Sequence, residues 1–317
     1  MAERPDFFIV GAAKCGTTAL YQYLSKHPSV FMPDMKEPKF FCTDLRTEGG
    51  IRTYDEYRGL FAAASAERIT GEASCWYLYS RIAIERIMTH NPEAKIIVML
   101  RYPVDAAHSL HAAAWGYNHE NIGDFEAAWR VQAARLSGKH MPRQWPEPAT
   151  LQYGAMYRYA EQVRRVLDHV PERQRHFIIY EHFFADPQRH YAETLAFLNL
   201  APDENATFSV VNPAIGPRSL LLDQLLRKPP RWLKDLYSVV RPVGHITGFY
   251  PAKVLWAFNS VPRQKSPLRP EFRKELDRYF ADDIAELEKL LGRRLWRQTS
   301  GESGIASDQD AIRFNVA

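Results

Sequence analysis

A short loop of small residues, between an apolar strand pattern and a helix pattern, constrains the N-terminal part of the chain most strongly. Residues 7–24 read FFIVGAAKCGTTALYQYL. In such a loop the backbone N–H groups can surround an anion, and the positive end of the following helix dipole points to the same place. The sequence therefore predicts an anion-binding loop over Gly11–Thr18.

The order of residues in this loop differs from that of nucleotide hydrolases, whose pattern is Gly, four residues and then Gly-Lys-Ser/Thr. Gly11 and Gly16 keep the spacing. Thr17 and Thr18 stand where the lysine and the Ser/Thr belong, and Lys14 lies inside the loop instead. The loop is therefore P-loop-like, and a P-loop kinase or ATPase is an alternative that has to explain the displaced lysine.

Apolar runs typical of buried strands alternate with helical patterns along the chain. Strands are predicted at Phe7–Val10, Ile96–Leu100 and Phe177–Tyr180, with shorter candidates at Val30-Phe31 and Ile69-Thr70. Helices are predicted over Thr17–Lys26, Arg81–His90, Val104–Trp115, Phe125–Leu136, Tyr157–His169, Tyr191–Leu198 and residues 267–291. This alternation predicts an α/β fold, a P-loop-like parallel β-sheet flanked by helices on both faces. Ligands of such sheets bind at the carboxyl ends of the strands.

The composition suggests one domain over residues 1–298, because 317 residues with 46% hydrophobic content suit a single large core. Residues 218–262 are rich in Pro, Arg, Lys and aromatic residues, and we interpret them as an irregular helical insert or lid. The polar, aperiodic residues 299–317 are expected to form a disordered tail. A net charge of +4 is compatible with an anionic ligand but does not identify one.

The sequence also predicts where the protein is found. No run of 18 or more apolar residues indicates a transmembrane segment, and a first strand at Phe7 leaves no room for a secretory signal. Cys15, Cys42 and Cys75 form no pairing framework and lack metal-ligand spacing. We therefore expect a cytoplasmic protein. We expect no nucleic-acid partner, and the oligomeric state cannot be predicted.

With these elements placed, the chain resembles the sulfotransferases that use 3′-phosphoadenosine 5′-phosphosulfate (PAPS). It is most similar to the branch that includes bacterial enzymes and the heparan-sulfate sulfotransferases, over about residues 7–296. The resemblance implies that the loop of Gly11, Ala12, Ala13, Lys14, Cys15, Gly16, Thr17 and Thr18 binds the 5′-phosphosulfate. Thr17, Thr18 and the loop amides would hold the 5′-phosphate, and Lys14 would reach the oxygen that bridges phosphorus and sulfur. An ammonium there stabilises the charge that develops as the sulfo group leaves.

The same resemblance implies a site for the 3′-phosphate. In the family, an arginine at the end of the corresponding strand and a serine eight residues later bind this group, and Arg101 and Ser109 have that spacing. A guanidinium suits a phosphate better than an ammonium does. A second, basic loop of the family corresponds by position to Arg263, Lys265 and Ser266, although this chain lacks the glycine that is often found there.

Two residues are candidates for the general base. Heparan-sulfate sulfotransferases carry a segment similar to residues 36–41, KEPKFF, and its glutamate is assigned as the base, which implies this role for Glu37. In the sulfotransferases of phenols and steroids the base is a histidine. His108 and His111 lie three residues apart on the helix predicted after Arg101, and we keep His108 as the alternative. Gly71-Glu72-Ala73-Ser74 resembles a segment that lines the family's acceptor cleft.

The resemblance predicts transfer of a sulfo group from PAPS to an acceptor hydroxyl, with 3′,5′-adenosine bisphosphate as the product. The acceptor would be a carbohydrate, a lipid or a small natural product. The transferred group carries fewer charges than a γ-phosphoryl group, so lysine and backbone donors are expected to suffice without a metal. A non-catalytic donor- or glycan-binding protein on the same fold is a further alternative.

Overall fold

A five-stranded sheet, in which all neighbouring strands are parallel, forms the centre of this computed structural model. The strand order is β2-β3-β1-β4-β5, and the strands are β1 Phe7–Gly11, β2 Val30–Phe31, β3 Ile69–Ala73, β4 Lys95–Leu100 and β5 Arg175–Ile179. The structure describes residues 4–46, 49–65, 68–117, 119–142, 147–203, 206–208, 215–217, 260–262 and 267–296.

Helices flank this sheet, which confirms the predicted α/β class. They are α1 Thr17–Ser25, α2 Tyr54–Gly59, α3 Ala83–His90, α4 Pro103–Gly116, α5 Phe125–Arg130, α6 Gln132–Leu136, α7 Tyr153–Met156, α8 Tyr159–His169, α9 Tyr180–Ala185, α10 Pro187–Leu198 and α11 Pro270–Leu291. Short 3₁₀ helices span Pro148–Leu151 and Glu172–Gln174. Two further strands, β6 Ile215–Pro217 and β7 Ser260–Pro262, pair antiparallel with each other.

Strands β1 and β4 form the centre of the core. Residues 7–10 and 96–100 have no exposed surface, as expected for adjacent parallel strands that are covered on both faces. The pairing of β1 with β4 is irregular at its end, because Ile9 pairs with Ile97 but Gly11 pairs with Val98. This extra residue bends the end of β1, where the anion-binding loop begins, as bulges next to active sites do.

Most predicted elements are found, but several differ in their bounds, such as α10, which begins at Pro187 rather than Tyr191. The predicted strand Phe177–Tyr180 is wrong at both ends, because β5 covers Arg175–Ile179 and Tyr180 starts α9. The helix predicted over Phe125–Leu136 is two helices that meet at Val131, whose φ and ψ are −95° and 2°. Helix α2 was not predicted, since it is six residues long and only Tyr57 is buried.

Several sequence predictions concern residues outside the part of the chain that the structure describes. They are the insert at 218–262, apart from residues 260–262, the tail at 299–317, and the candidate phosphate ligands Arg263, Lys265 and Ser266. Among the described helices, none is both long and apolar enough to cross a bilayer.

Candidate active site

The loop after β1 needs glycine at both ends. Gly11 and Gly16 have φ values of +145° and +90°, which side chains with a Cβ rarely adopt. A Cβ on Gly11 would also lie 2.7 Å from the carbonyl oxygen of Cys75, so the two backbones approach as closely as a glycine allows. The Ala12 N–H donates to the Met99 carbonyl at 2.7 Å and thereby ties the loop to β4.

Tyrosine hydroxyls support the loop from within the core. The Tyr157 hydroxyl donates to the Ala13 carbonyl at 3.0 Å, and the Tyr159 hydroxyl lies 3.5 Å from Cys15 Sγ. All four residues are buried. Burial raises the pKa of the Cys15 thiol to about 12, so this cysteine stays protonated and has a structural role.

The loop leads directly into helix α1, whose first residue is Thr17. The helix has Gly16 as its N-cap, no side-chain hydrogen bond at that cap and no acidic residue in its first turn. The first amides of a helix have no partner within it, and their dipoles favour an anion. Thr17 is buried and Thr18 is partly exposed, so the described geometry is that of an anion site with hydroxyls beside it.

Lys14 and Arg101 approach each other at this loop. Lys14 has a left-handed backbone, with φ of +63°, and is solvent-exposed. Desolvation by the surrounding protein nevertheless lowers its pKa, and the positive charges of Arg101 and Lys36 act in the same direction, while Cys75 opposes them. An anion bound between these two cations would attract both and so offset their mutual repulsion.

Arg101 follows the last residue of β4, as the sequence predicts. Its guanidinium lies over the Tyr180 ring, with Cζ 4.2 Å from the ring centroid. Burial disfavours the guanidinium charge, but Tyr180 and Asp105 outweigh it, so the pKa of Arg101 is raised. Its Nε is buried and has no hydrogen-bond partner among the described residues. A buried donor without a partner is costly, so a phosphate oxygen at this position fits the residue.

The segment that carries Arg101 is held by elements far away in the sequence. Glu181 on α9 accepts from the Tyr102 N–H at 3.0 Å and from Trp296 Nε1 at 2.9 Å. The Tyr102 hydroxyl donates to Asp277 on α11 at 2.9 Å. Both ends of Tyr102 are therefore fixed, which restricts the neighbouring guanidinium.

Glu37 lies near the first glycine of the loop, to which it is connected through Cys75. Its carboxylate oxygens are 3.2 and 3.0 Å from the backbone nitrogen of Cys75, whose carbonyl faces Gly11. Lys36 Nζ lies 2.5 Å from Glu37 Oε1, and about a fifth of each side chain is exposed. Burial opposes the charge of Lys36, but the Glu37 carboxylate outweighs it and raises the Lys36 pKa. Cys75 thus joins the candidate base to the anion loop.

The remaining predicted residues lie on α4. Ser109 is buried, eight residues after Arg101 on the helix that follows it. The His108 ring stacks on Phe125, with centroids 5.4 Å apart. His111 Nε2 lies 2.8 Å from the Ile122 carbonyl, and burial lowers the pKa of His111. The His111 ring also packs against Tyr153 of α7, whereas the Glu37 carboxylate accepts from the Cys75 amide, whose carbonyl faces Gly11.

Sequence reasoning assigned no individual role to three neighbours of the site. They are Cys75, whose amide holds Glu37, Tyr180 under Arg101, and Glu72, which is fully buried behind the segment of Glu37. Only Glu72 carried a sequence signal, in the Gly71–Ser74 segment, and its burial places it behind the cleft surface. No group of three or more His, Cys, Asp or Glu residues in the described part is arranged to hold a metal ion.

Comparison with known proteins identifies the family. Residues 4–213 match the family described as Sulfotransferase domain. The structure is similar to the crystal structure of a sulfotransferase from Alicyclobacillus acidocaldarius, with a TM-score of 0.66 and 30% identity over 92% of this chain and 96% of that chain.

Curated relatives include larger proteins. The bifunctional heparan sulfate N-deacetylase/N-sulfotransferase 4 of Mus musculus is 27% identical over 91% of this chain and 30% of its own length. The heparan sulfate glucosamine 3-O-sulfotransferase 3B1 of Homo sapiens is 30% identical over 62% of this chain and 47% of its own length. The chain thus spans less than half of either relative. The family match covers most of the chain, so the chain belongs to the sulfotransferase domain family, which confirms the family and the transferase class predicted from its sequence.

Proposed function

We propose that this chain transfers a sulfo group from PAPS to an acceptor hydroxyl. The observation that carries the proposal is that Lys14 and Arg101 lie near the Gly16-capped N-terminus of α1, with a buried Arg101 Nε that lacks a hydrogen-bond partner among the described residues. A donor with a 5′-phosphosulfate and a 3′-phosphate would supply the activated sulfo group and one anion for each cation.

Binding of the donor is divided between two parts of the site. The amides of the Gly11–Thr18 loop and the two threonines would hold the 5′-phosphate, as helix N-termini do. Arg101, stacked on Tyr180, would hold the 3′-phosphate together with Ser109. Arg263, Lys265 and Ser266 stay candidates for the same phosphate by sequence position.

The transfer step assigns separate roles to Lys14 and Glu37. Glu37 takes the proton of the acceptor hydroxyl, and the acceptor oxygen forms a bond to sulfur as the bond from sulfur to the bridging oxygen breaks. Lys14 stabilises the negative charge that this bridging oxygen gains. The Cys75 amide and Lys36 orient the Glu37 carboxylate before the acceptor binds. His108 is the alternative base, although its ring is stacked on Phe125.

The acceptor is proposed to be a carbohydrate, because curated relatives are named for heparan sulfate. A lipid or a small natural product with a free hydroxyl is the alternative acceptor class. We further propose that the reaction takes place in the cytoplasm and needs no metal ion.

A direct experiment is to incubate the protein with PAPS and a panel of hydroxyl acceptors, and to follow the gain of one sulfo group by mass spectrometry. Thermal unfolding with 3′,5′-adenosine bisphosphate, or with ATP and Mg²⁺, separates the proposal from a kinase or ATPase. Ligand at 100 times its dissociation constant adds about 2.7 kcal/mol to the stability. We expect this shift with the bisphosphate, and a shift with ATP and Mg²⁺ alone would contradict the proposal.

A further inference from the structure

The segment of residues 36–41, which we name the base segment, is attached to the chain after β3 through alternate backbone amides. The Glu37 N–H donates to the Ala73 carbonyl at 2.9 Å, and the Lys39 N–H donates to Ser74 Oγ at 3.0 Å. The Phe41 N–H donates to the Tyr77 hydroxyl at 3.4 Å. Two of these three acceptors are side chains, so the position of the base segment depends on which residues follow β3.

The backbone of the base segment is strained where it carries Glu37. Glu37 and Lys39 have φ values of +67° and +55°, in the left-handed region that non-glycine residues rarely adopt. Such conformations persist only where the surrounding structure holds them, and they concentrate at functional sites. The hydrogen bonds that the Lys39 and Phe41 N–H groups donate to Ser74 and Tyr77 supply this restraint.

Glu72 lies beneath these attachments. It is 1% exposed, and its Oε2 accepts from the hydroxyls of Tyr57 and Tyr77, each at 2.9 Å. Because the Tyr77 hydroxyl donates to Glu72, its lone pairs face the Phe41 amide. The carboxylate therefore fixes the rotation of the hydroxyl that restrains the base segment.

Burial of the Glu72 carboxyl group costs desolvation free energy. Burial raises the pKa of Glu72 to about 7, the hydroxyls of Ser74, Tyr57 and Tyr77 lower it in part, and the Glu37 carboxylate raises it further. Its Oε1 has no hydrogen-bond partner among the described residues. An apolar side chain in this place would avoid the desolvation. The core alone thus gives no reason for a glutamate here.

We propose that Glu72 is a positioning residue for proton transfer, which holds the Glu37 carboxylate at the anion loop by way of Tyr77 and the base segment. This inference rests on the proposed function for its catalytic consequence, but not for its structural one. Among the described residues, the hydrogen bonds of Glu72 go to Tyr57 and Tyr77 and not to the donor loop, so its effect is transmitted through the Phe41 amide.

The two tyrosines offer a matched pair of variants. Tyr77→Phe and Tyr57→Phe each remove one buried hydroxyl that donates to the same Glu72 oxygen, and each keeps its ring. Only the Tyr77 hydroxyl also accepts from the base segment. We expect both variants to lose similar stability, whereas hydrogen exchange at the amides of residues 36–41 accelerates only in Tyr77→Phe.

The catalytic readout is the sulfo-transfer rate with saturating PAPS, together with the affinity for the bisphosphate. We expect Tyr77→Phe to lower kcat about tenfold, equivalent to about 1.4 kcal/mol, with bisphosphate affinity unchanged. Tyr57→Phe should keep kcat within about twofold, well below that tenfold threshold. Glu72→Gln keeps an acceptor oxygen and should restore most of the activity that Glu72→Ala loses.

Equal exchange at residues 36–41 in the two tyrosine variants would overturn the inference, whatever the activity. Equal loss of kcat in both variants would also overturn it, because Glu72 would then act through general stability. If exchange accelerates only in Tyr77→Phe but the wild-type protein transfers no sulfo group to any acceptor, the proposed function is refuted. The link from Glu72 to the base segment would still stand.

Discussion

The backbone of Cys75 joins Glu37 to the anion loop: its N–H lies 3.0 Å from Glu37 Oε2, and its carbonyl occupies the space that a Cβ on Gly11 would need. The backbone N–H and the carbonyl of one residue, Cys75, thus contact the candidate base and the donor loop. Movement of the chain after β3 would displace both together. The distance between base and donor is therefore protected against small shifts of either.

Replacement of Lys14 by alanine should lower kcat strongly without unfolding the protein. Loss of one donor to developing charge costs about 2.7–4 kcal/mol of barrier, or about 10²–10³-fold in rate. Lys14 is solvent-exposed, so the melting temperature should change little. Steady-state kinetics and thermal unfolding check this, with Lys26→Ala, an exposed lysine just beyond the other end of α1, as the control. An unchanged kcat would exclude Lys14 from the transfer step.

Replacement of Arg101 by alanine should mainly weaken the binding of 3′,5′-adenosine bisphosphate. A hydrogen bond to a charged group contributes about 1.5–3 kcal/mol, so the affinity should fall by about 10–100-fold. Arg101→Lys should restore only part of it, since an ammonium lacks the planar fork that stacks on Tyr180. Calorimetric titration measures this, with the exposed Arg173→Ala as a control. Equal affinities of wild type and Arg101→Ala would show that the 3′-phosphate binds elsewhere.

Glu37→Gln should separate catalysis from donor binding. The glutamine keeps an acceptor for the Cys75 amide but cannot take a proton, so kcat should fall by about 10²–10⁴-fold. The bisphosphate affinity should stay close to that of the wild type. Glu93→Gln, whose side chain is 80% exposed, is the control. If Glu37→Gln retained full activity, the base would have to be sought elsewhere, beginning with His108.

Stability should decrease between about pH 4.5 and pH 7 through Glu72. Its pKa is raised to about 7 in the folded protein, so the folded state retains a proton that the unfolded state releases, and each rise in pH across this window favours unfolding. Burial lowers the pKa of His176 to about 4, and this residue has the opposite effect in part of the same window. The comparison must therefore use Glu72→Gln as reference.

Urea unfolding at pH 5 and pH 7.5 measures this difference. Over this range the free energy of unfolding of the wild type should fall by up to about 3 kcal/mol more than that of Glu72→Gln. This size follows from the rise of the Glu72 pKa from its ordinary value to about 7. Parallel behaviour of the two proteins would mean that Glu72 titrates near its ordinary value.

Removal of one partner of the buried ion pair between Arg135 and Glu120 should strongly lower the free energy of unfolding. Arg135 and Glu120 have fully buried side chains, Arg135 Nη1 lies 2.7 Å from Glu120 Oε2, and the Tyr153 hydroxyl donates to the same oxygen at 2.6 Å. Glu120→Ala leaves the guanidinium uncompensated and should cost about 3–5 kcal/mol in urea unfolding. Glu93→Ala, in an exposed pair with Arg173, should cost much less.

Local sequence patterns predicted the parts of the fold that local chemistry determines. The apolar run of β1 leads directly into the loop with its two glycines and Lys14, and Arg101 directly follows the apolar run of β4. Since both positions are at the carboxyl ends of parallel strands, Lys14 and Arg101 could be placed at the same sheet edge. The strand was predicted to end at Tyr180, but α9 begins at this residue, and the next residue, Glu181, accepts from Tyr102 and Trp296. Such contacts join residues about 80 and 115 positions apart, which no local pattern contains.

In the candidate site, too, local sequence patterns identified a residue but not the distant contacts that hold it. The KEPKFF segment identified Glu37, but the bonds that orient it come from Cys75, Ser74 and Tyr77, 35 to 38 residues away. The left-handed conformation of Glu37 cannot be predicted from its residue type, because glutamate seldom adopts it. The identity of the base could thus be proposed from sequence, whereas its restraint required the structure.

Strands β6 and β7 have a consequence for how such an enzyme can change. Pro217 is paired with Ser260, so β6 and β7 set the distance between the two ends of the 42-residue stretch 218–259. The free-energy cost of closing a chain between two fixed ends grows slowly with its length, by about 0.6 kcal/mol for each doubling. The number of residues between β6 and β7 is therefore open to change at little thermodynamic cost.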